Sequence, residues 1–264
     1  MRPNLVSSAR PSQKTEEGKE EEKGKSEDEV FSDLVASFVP QYDPELMEHV
    51  PQGSFEMGTA DPQNPRDGEG PARRLLVKDF FIDAFETSNH EFAKFVQAAG
   101  HQTDSEKFGW SFVFSGLLPE ETDKQITEAV QGAEWWVPVN GASWRHPEGP
   151  DTNVHTRFDH PVVHVSWNDA AAFCEWKGKR LPTEVEWEKA ARGGLEGQLY
   201  AWGNELTPEG RHMCNIWQGT FPDQNTLEDG YLATCPVNEF PPNGFGLYNV
   251  AGNFWEWTAT WFTV

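Results

Sequence analysis

Two short stretches hold the residues best suited to chemistry. In Asn215-Ile216 with Glu228-Asp229-Gly230-Tyr231, and in Asn249 with Gly252-Asn253-Phe254 and Glu256, amides and carboxylates sit among glycine-defined turns. Calcium takes about six to eight oxygens, drawn from carboxylates, amides and backbone carbonyls held by irregular loops. No EF-hand spacing occurs, and spacing alone favours solvated loops over an ion site. Three cysteines, Cys174, Cys214 and Cys235, leave one thiol over, with no Cys-x-x-Cys and no zinc-like Cys/His array. Cys174 falls on a predicted helix with no base beside it, so a structural thiol or half of a bridge is expected rather than a nucleophile. Cys214 and Cys235 could join across a turn-rich loop; spacing leaves that pairing open. His160-Pro-Val-Val-His164 puts two histidines on one face if extended, but without a third ligand ordinary strand histidines are expected. Phosphate-loop, dinucleotide, nucleophile-elbow and H-E-x-x-H motifs are all missing from the sequence.

Those loops need a frame, and three capping boxes begin it. Ser88 with Glu91, Ser166 with Asp169 and Thr183 with Glu186 each precede a helical pattern. Phe92, Phe95, Val96 and Ala99 follow the first at helical spacing, with Gly100 as the stop. A weaker helix is predicted over 120–131. Strands are predicted at VPQGSFEMG and over 75–85, LLVKDFFIDAF. After Gly193 the chain turns aromatic and turn-rich, without helical period. Helices and short strands without βαβ alternation predict an α+β class with much irregular coil. Such coil must satisfy its backbone polar groups by turns, side chains or ions. Residues 1–30 are Lys/Glu/Ser/Gly-rich and are expected to be disordered, with the folded domain over 31–264.

Composition narrows the partners. Lys+Arg 21 against Asp+Glu 43 gives a formal net charge of −22, which argues against nucleic acid and anionic membranes. No apolar run approaches the roughly 18 residues of a membrane span, and no signal-peptide core is visible in 1–30. Twelve Trp and 18 Phe demand a packed core or a binding surface, and for Trp135-Trp136 and Trp255/Trp257 core packing is the expectation. Arg73-Arg74 and the KGKR stretch at 177–180 are expected to be solvated.

HPVVHVSWNDAAAFCEWKGKRLPTEVEWEKAARGG (160–194) resembles the formylglycine-generating enzyme family, the sulfatase-modifying factors. The resemblance continues through YAWGN, NIWQGTFP, EDGY and PPNGFGLYNVAGNFWEWT, and upstream through GSFEMGTADPQNPRDGEGPARR and EWWVPVNGASWRHPEGP. It implies a C-type-lectin-like fold. It implies oxidation of the cysteine in a Cys-x-Pro-x-Arg motif of nascent sulfatases to Cα-formylglycine, in the endoplasmic reticulum lumen, with O₂ and with Cu(I) on two thiolates. It also implies two calcium sites. One is carried by Asn215, Ile216, Asp229 and Tyr231, the other by Asn249, Gly252, Phe254 and Glu256, with Ile216, Tyr231, Gly252 and Phe254 acting through their carbonyls.

The family's Cys-x4-Cys copper pair follows a segment beyond WEWT and finds no match in this sequence, so a C-terminally truncated member is expected, inactive by itself. Cys174 matches a family cysteine whose disulfide partner is expected beyond Val264. Ala191 stands where a second family bridge expects cysteine, as in a non-catalytic paralogous branch that AARGGLEGQLY and FGWSFVF also resemble. The motifs DPQNPRDGEGPARR, ASWRHPEGP and PPNGFGLYN resemble the catalytic branch. The resemblance thus implies an oxidase parent, or alternatively a copper-free paralogue that binds sulfatases or forms a homo- or heterodimer with the catalytic protein.

Overall fold

The computed structural model of the chain describes residues 25–262. The first helix is one that composition hid. In α1 (Glu27–Ser37), Ser26 and Glu29 form a capping box, and Phe31 and Val35 are buried. Phe31 meets Trp144 edge to face at 5.8 Å, while the Arg145 guanidinium lies over the Phe31 ring and pairs with Asp28. Residues 27–30, expected to be disordered, are therefore helical; two apolar anchors four residues apart outweigh a charged neighbourhood. Residues 1–24 lie outside the described part.

Strands β1 (Met47–Val50), β2 (Gly53–Met57), β3 (Arg73–Val77) and β4 (Phe80–Asp83) form one bent antiparallel ribbon. Val50 opposes Phe80 and Gly53 opposes Val77, so the segment expected as a single strand over 75–85 is split in two. Pro51 explains the break, because it has no N–H to offer the ladder. The carbonyls freed there are taken by the ammonium of Lys189, which donates to Pro51 and, at 3.4 Å, to Gly53. Lys189 is buried, and this contact explains why a lysine can be.

The predicted capping boxes stand where expected. Helix α2 (Asn89–Ala99) starts at Ser88 and ends at Gly100, whose φ of 62° suits glycine. After it come α3 (Asp104–Phe108), β5 (Trp110–Phe114) and α4 (Glu120–Asp123). The predicted helix over 120–131 is thus only one turn; Pro119 offers no side-chain cap, and no residue of that turn is buried. Strand β6 (Trp136–Asn140) pairs with β5, and α5 (Trp167–Trp176) and α6 (Glu184–Ala191) carry the other two boxes. Phe92 and Phe95 of α2 pack with Phe173 of α5, Trp144 and Phe158 in the largest core cluster. Beyond Gly193 the described chain is coil apart from a 3-10 turn (Pro208–Gly210) and the small hairpin β7 (Gly219–Thr220) and β8 (Gln224–Asn225).

Lys177 pairs with Glu45 and Glu91, and Lys179 with Asp83, both half-buried. They tie α5 to the ribbon, so those two cations are not the solvated island expected of them. Among the described residues no helix is long and apolar enough to cross a membrane.

Candidate functional site

A cavity of about 1260 Å³ opens between β5, β6 and the coil after Gly193. Phe114, Trp136, Trp217 and Phe221 give it an aromatic wall, with Phe114 against Trp217 at 5.5 Å and Phe221 against Trp217 at 5.2 Å. The segment 254–257 lines both this cavity and a neighbouring one of about 500 Å³. Trp255 is 86% exposed and Trp257 49%. Core packing, expected for this pair, is therefore corrected: these rings belong to an open surface.

His164 shapes the polar wall. Its φ of 57° turns the chain, so it does not share a strand face with His160, which instead meets Thr234 at 2.9 Å. His164 Nε2 lies 2.8 Å from the Pro147 carbonyl and Nδ1 2.8 Å from Ser111 Oγ. A carbonyl only accepts, so Nε2 carries the proton and Ser111 donates to Nδ1. Burial holds this histidine below its usual pKa and so favours the neutral form, in which Nδ1 accepts from the Ser111 hydroxyl. The Ser111 hydroxyl hydrogen is thereby committed, and its lone pairs remain for a donor in the cavity. With a carbonyl as third member the set lacks the carboxylate that stabilises an imidazolium, so it presents a hydroxyl rather than arming a nucleophile.

The two expected oxygen-rich loops come together below the cavity. In the first, Asp229 Oδ2 accepts from the Ile216 N–H at 2.9 Å and Oδ1 from the Tyr231 N–H at 3.0 Å. Asn215 is buried and donates to the Ala233 carbonyl and to Asn253 Oδ1. The Ile216 carbonyl accepts from Gln218 Nε2 at 2.6 Å, a bond that an ion there would have to displace. In the second loop, Asn249 and Asn253 both adopt positive φ, a region asparagine tolerates. Gly252 lies between them, and a Cβ on it would meet the Asn215 carbonyl at 2.3 Å. Only glycine fits so close an approach. Among the described residues no N–H or hydroxyl takes the carbonyls of Tyr231, Gly252 or Phe254. Glu256 accepts from Trp187 Nε1 at 3.0 Å.

Sequence reading missed the residue that joins these groups. Glu86 is buried, and its carboxyl accepts from Asn249 Nδ2 at 2.8 Å and from Asn253 Nδ2 at 2.9 Å. Burial first, and then the negative charge of Glu256, push its pKa up to about 8, against the pull of the two amides. Tyr248 N–H donates to the Ala84 carbonyl at 2.9 Å and so lays this loop alongside 84–86. A signal existed: Ala84, Glu86 and Ser88 alternate inward in one register with the ribbon. The signal for Asn253 was weaker, a second asparagine beside the expected Gly252.

All three cysteines are free thiols. Burial raises each, Cys214 to about 11 and Cys235 to about 12. The possible Cys214–Cys235 bridge is therefore not formed. Among the described residues no three His, Cys, Asp or Glu side chains gather as metal ligands. The oxygen-rich loops present mainly amide and carbonyl oxygens.

The model of the sulfatase-modifying factor enzyme 1-like domain matches residues 35–264. A formylglycine-generating enzyme of Bos taurus is 59% identical over 221 residues, covering 84% of this chain and 59% of that protein. One from Thermomonospora curvata is 56% identical over 225 residues, covering 85% of this chain and 74% of the bacterial protein. The inactive C-alpha-formylglycine-generating enzyme 2 of Bos taurus is 51% identical over 215 residues, covering 81% of this chain and 70% of its own length. The chain thus spans under three fifths of the first of these. With residues 35–264 matched by that domain and relatives 56–59% identical over more than four fifths of the chain, the chain belongs to the sulfatase-modifying factor enzyme 1-like family.

Proposed function

We propose that this chain supplies the scaffold and peptide cavity of a protein that converts the cysteine of a Cys-x-Pro-x-Arg motif in nascent sulfatases to Cα-formylglycine. The observation that carries this reading is the 59% identity to the bovine formylglycine-generating enzyme. The cavity supports it: aromatic walls suit a proline, Ser111 offers an acceptor to a peptide N–H, and a net charge of −22 draws an arginine-bearing peptide. The fold is read as C-type-lectin-like, which short ribbons, capped helices and abundant coil suit. The address in the endoplasmic reticulum lumen rests on family resemblance alone.

Calcium fits the two loops. Asn249 Oδ1 is buried without a partner, and free carbonyls at Gly252, Phe254 and Tyr231 stand beside the carboxylates of Asp229 and Glu256. Asn215, Ile216, Asp229 and Tyr231 would hold one ion, and Asn249, Gly252, Phe254 and Glu256 the other. Calcium would supply positive charge that cross-links coil. Copper does not fit the cysteines described above. Their thiols are raised rather than lowered, whereas Cu(I) requires thiolates. No oxidation step is assigned to these residues.

A second reading is a copper-free paralogue that binds sulfatases or dimerises with the catalytic protein, in line with the 51% identity to an inactive relative. Mass spectrometry of a Cys-x-Pro-x-Arg peptide, incubated with the full gene product, Cu(I) and O₂, separates the two. Conversion of thiol to aldehyde supports the oxidase, and binding without conversion supports the paralogue. The 264-residue chain alone is expected to bind the peptide without converting it; conversion would overturn the copper argument, and failure to bind would overturn the cavity reading.

A further inference from the structure

We propose that Glu86 is the positioning residue of the second cation loop: its carboxylate grips the amide nitrogens of Asn249 and Asn253 and so turns Asn249 Oδ1 outward as a ligand oxygen. This rests on the calcium reading above and adds to it a residue that lies outside both expected ligand sets.

The amide orientation follows from its neighbours. Asn249 is 6% exposed, and one end of its amide faces Glu86 Oε2 at 2.8 Å and the Pro236 carbonyl at 3.3 Å. The Pro236 carbonyl can only accept, so that end is nitrogen whatever the protonation of Glu86. Oδ1 is then the other end, and it is buried with no partner. An orphaned buried acceptor is costly, and native structures keep one where an unseen partner satisfies it. A cation is such a partner.

The grip has a second hand. Asn253 Nδ2 donates to both oxygens of Glu86, at 3.2 and 2.9 Å, and to the Cys235 carbonyl at 3.3 Å. Glu86 therefore brackets Gly252, whose carbonyl is among the expected ligands, from both sides. Carboxylates that orient ligands in this way tune affinity without touching the ion.

The test exchanges donor and acceptor. Calcium titration calorimetry on chelator-treated wild-type protein is expected to show two sites. Glu86→Gln, whose amide competes for the same geometry, is expected to weaken one site about 10- to 100-fold. The Asp229 loop, still binding, reports that the variant is folded. In the double variant Glu86→Gln with Asn249→Asp the hydrogen bond is reversed, and both oxygens of the introduced carboxylate can accept or ligate; affinity is expected to return to within about threefold of wild type. A merely structural glutamate would not be rescued by the swap. Wild-type affinity in Glu86→Gln, or a double variant as weak as the single one, overturns the positioning role while leaving calcium in place. A wild-type protein that binds no calcium overturns the calcium reading, and this inference with it.

Discussion

Replacing Asn253 by alanine removes more than one interaction, and the structure gives the size of each. Its Nδ2 donates to the buried Glu86 carboxyl at 2.9 Å; with that carboxyl raised to about 8 and so neutral near pH 7, the bond is of the kind that contributes about 0.5–1.5 kcal/mol. Its Oδ1 accepts from the Cys235 N–H at 2.8 Å. Cys235 is fully buried, so that donor would be left unsatisfied at about 1–3 kcal/mol. The residue sits at φ 55°, where alanine adds about 1 kcal/mol of backbone strain that asparagine largely escapes. Together these predict a loss of about 2.5–5.5 kcal/mol, a large share of the roughly 5–15 kcal/mol of a typical domain. At about 2–4 °C per kcal/mol for a chain of this size, the melting temperature should fall by about 5–22 °C. Calorimetry in excess chelator measures this without a contribution from metal. Asn253→Gly loses the same hydrogen bonds but keeps the backbone unstrained, and should recover about 1 kcal/mol of the alanine loss. A loss below about 1 kcal/mol in Asn253→Ala would refute the hub role and the hydrogen-bond accounting behind it.

Three further outcomes follow from contacts described above. Burial lowers the pKa values of His90, His160 and His164, so the unfolded chain binds more protons below the unperturbed value of about 6.5. The histidines' contribution is therefore full above that pH and falls as pH drops toward the folded pKa values, by at most about 1.4 kcal/mol per unit per histidine, while Glu86, raised to about 8, contributes with the opposite sign. The change in urea midpoint between about pH 7.5 and about pH 5.5, compared with that of His164→Gln, checks the sign; a variant whose midpoint drops more steeply on acidification would refute it. Lys189→Met should destabilise the fold to urea by about 1–3 kcal/mol, because the Pro51 carbonyl loses its donor at the ribbon's bend. Trp255→Ala, at a ring 86% exposed, should leave the melting temperature within about 2 °C of wild type while weakening Cys-x-Pro-x-Arg peptide binding about tenfold in fluorescence anisotropy; a large melting shift would return Trp255 to the core.

What could be read from the sequence divides by the distance over which the information acts. The boxes at Ser88, Ser166 and Thr183 are closed within four residues, and each helix starts where its box says. The box at Ser26 is equally local but was masked by its charged surroundings, since the anchoring partner of Phe31 is Trp144, far along the chain. The break in the ribbon was legible one residue at a time, in Pro51. Its effect on 75–85 was not, because it is imposed from the opposite strand. The oxygen-rich loops were found because their glycines and asparagines define turns locally. Their organiser was missed because Glu86 meets Asn249 and Asn253 across separations of 163 and 167 residues.

The same contrast bears on the aromatic stretch 254–257. Local composition assigns such rings to a core, because apolar area gains most when it is buried. Here residues 254–257 are all exposed, and Glu256 is tied to helix α6 by accepting from Trp187 Nε1 at 3.0 Å. Trp255 and Trp257 on either side of it line the cavity mouth instead of filling a core. A polar contact to a distant segment thus anchors the strip of chain from which these rings project. If that anchor holds the segment, Glu256→Leu should free the Trp187 indole and quench or shift tryptophan emission; unchanged emission would show that the aromatic rings hold the segment and the carboxylate merely follows.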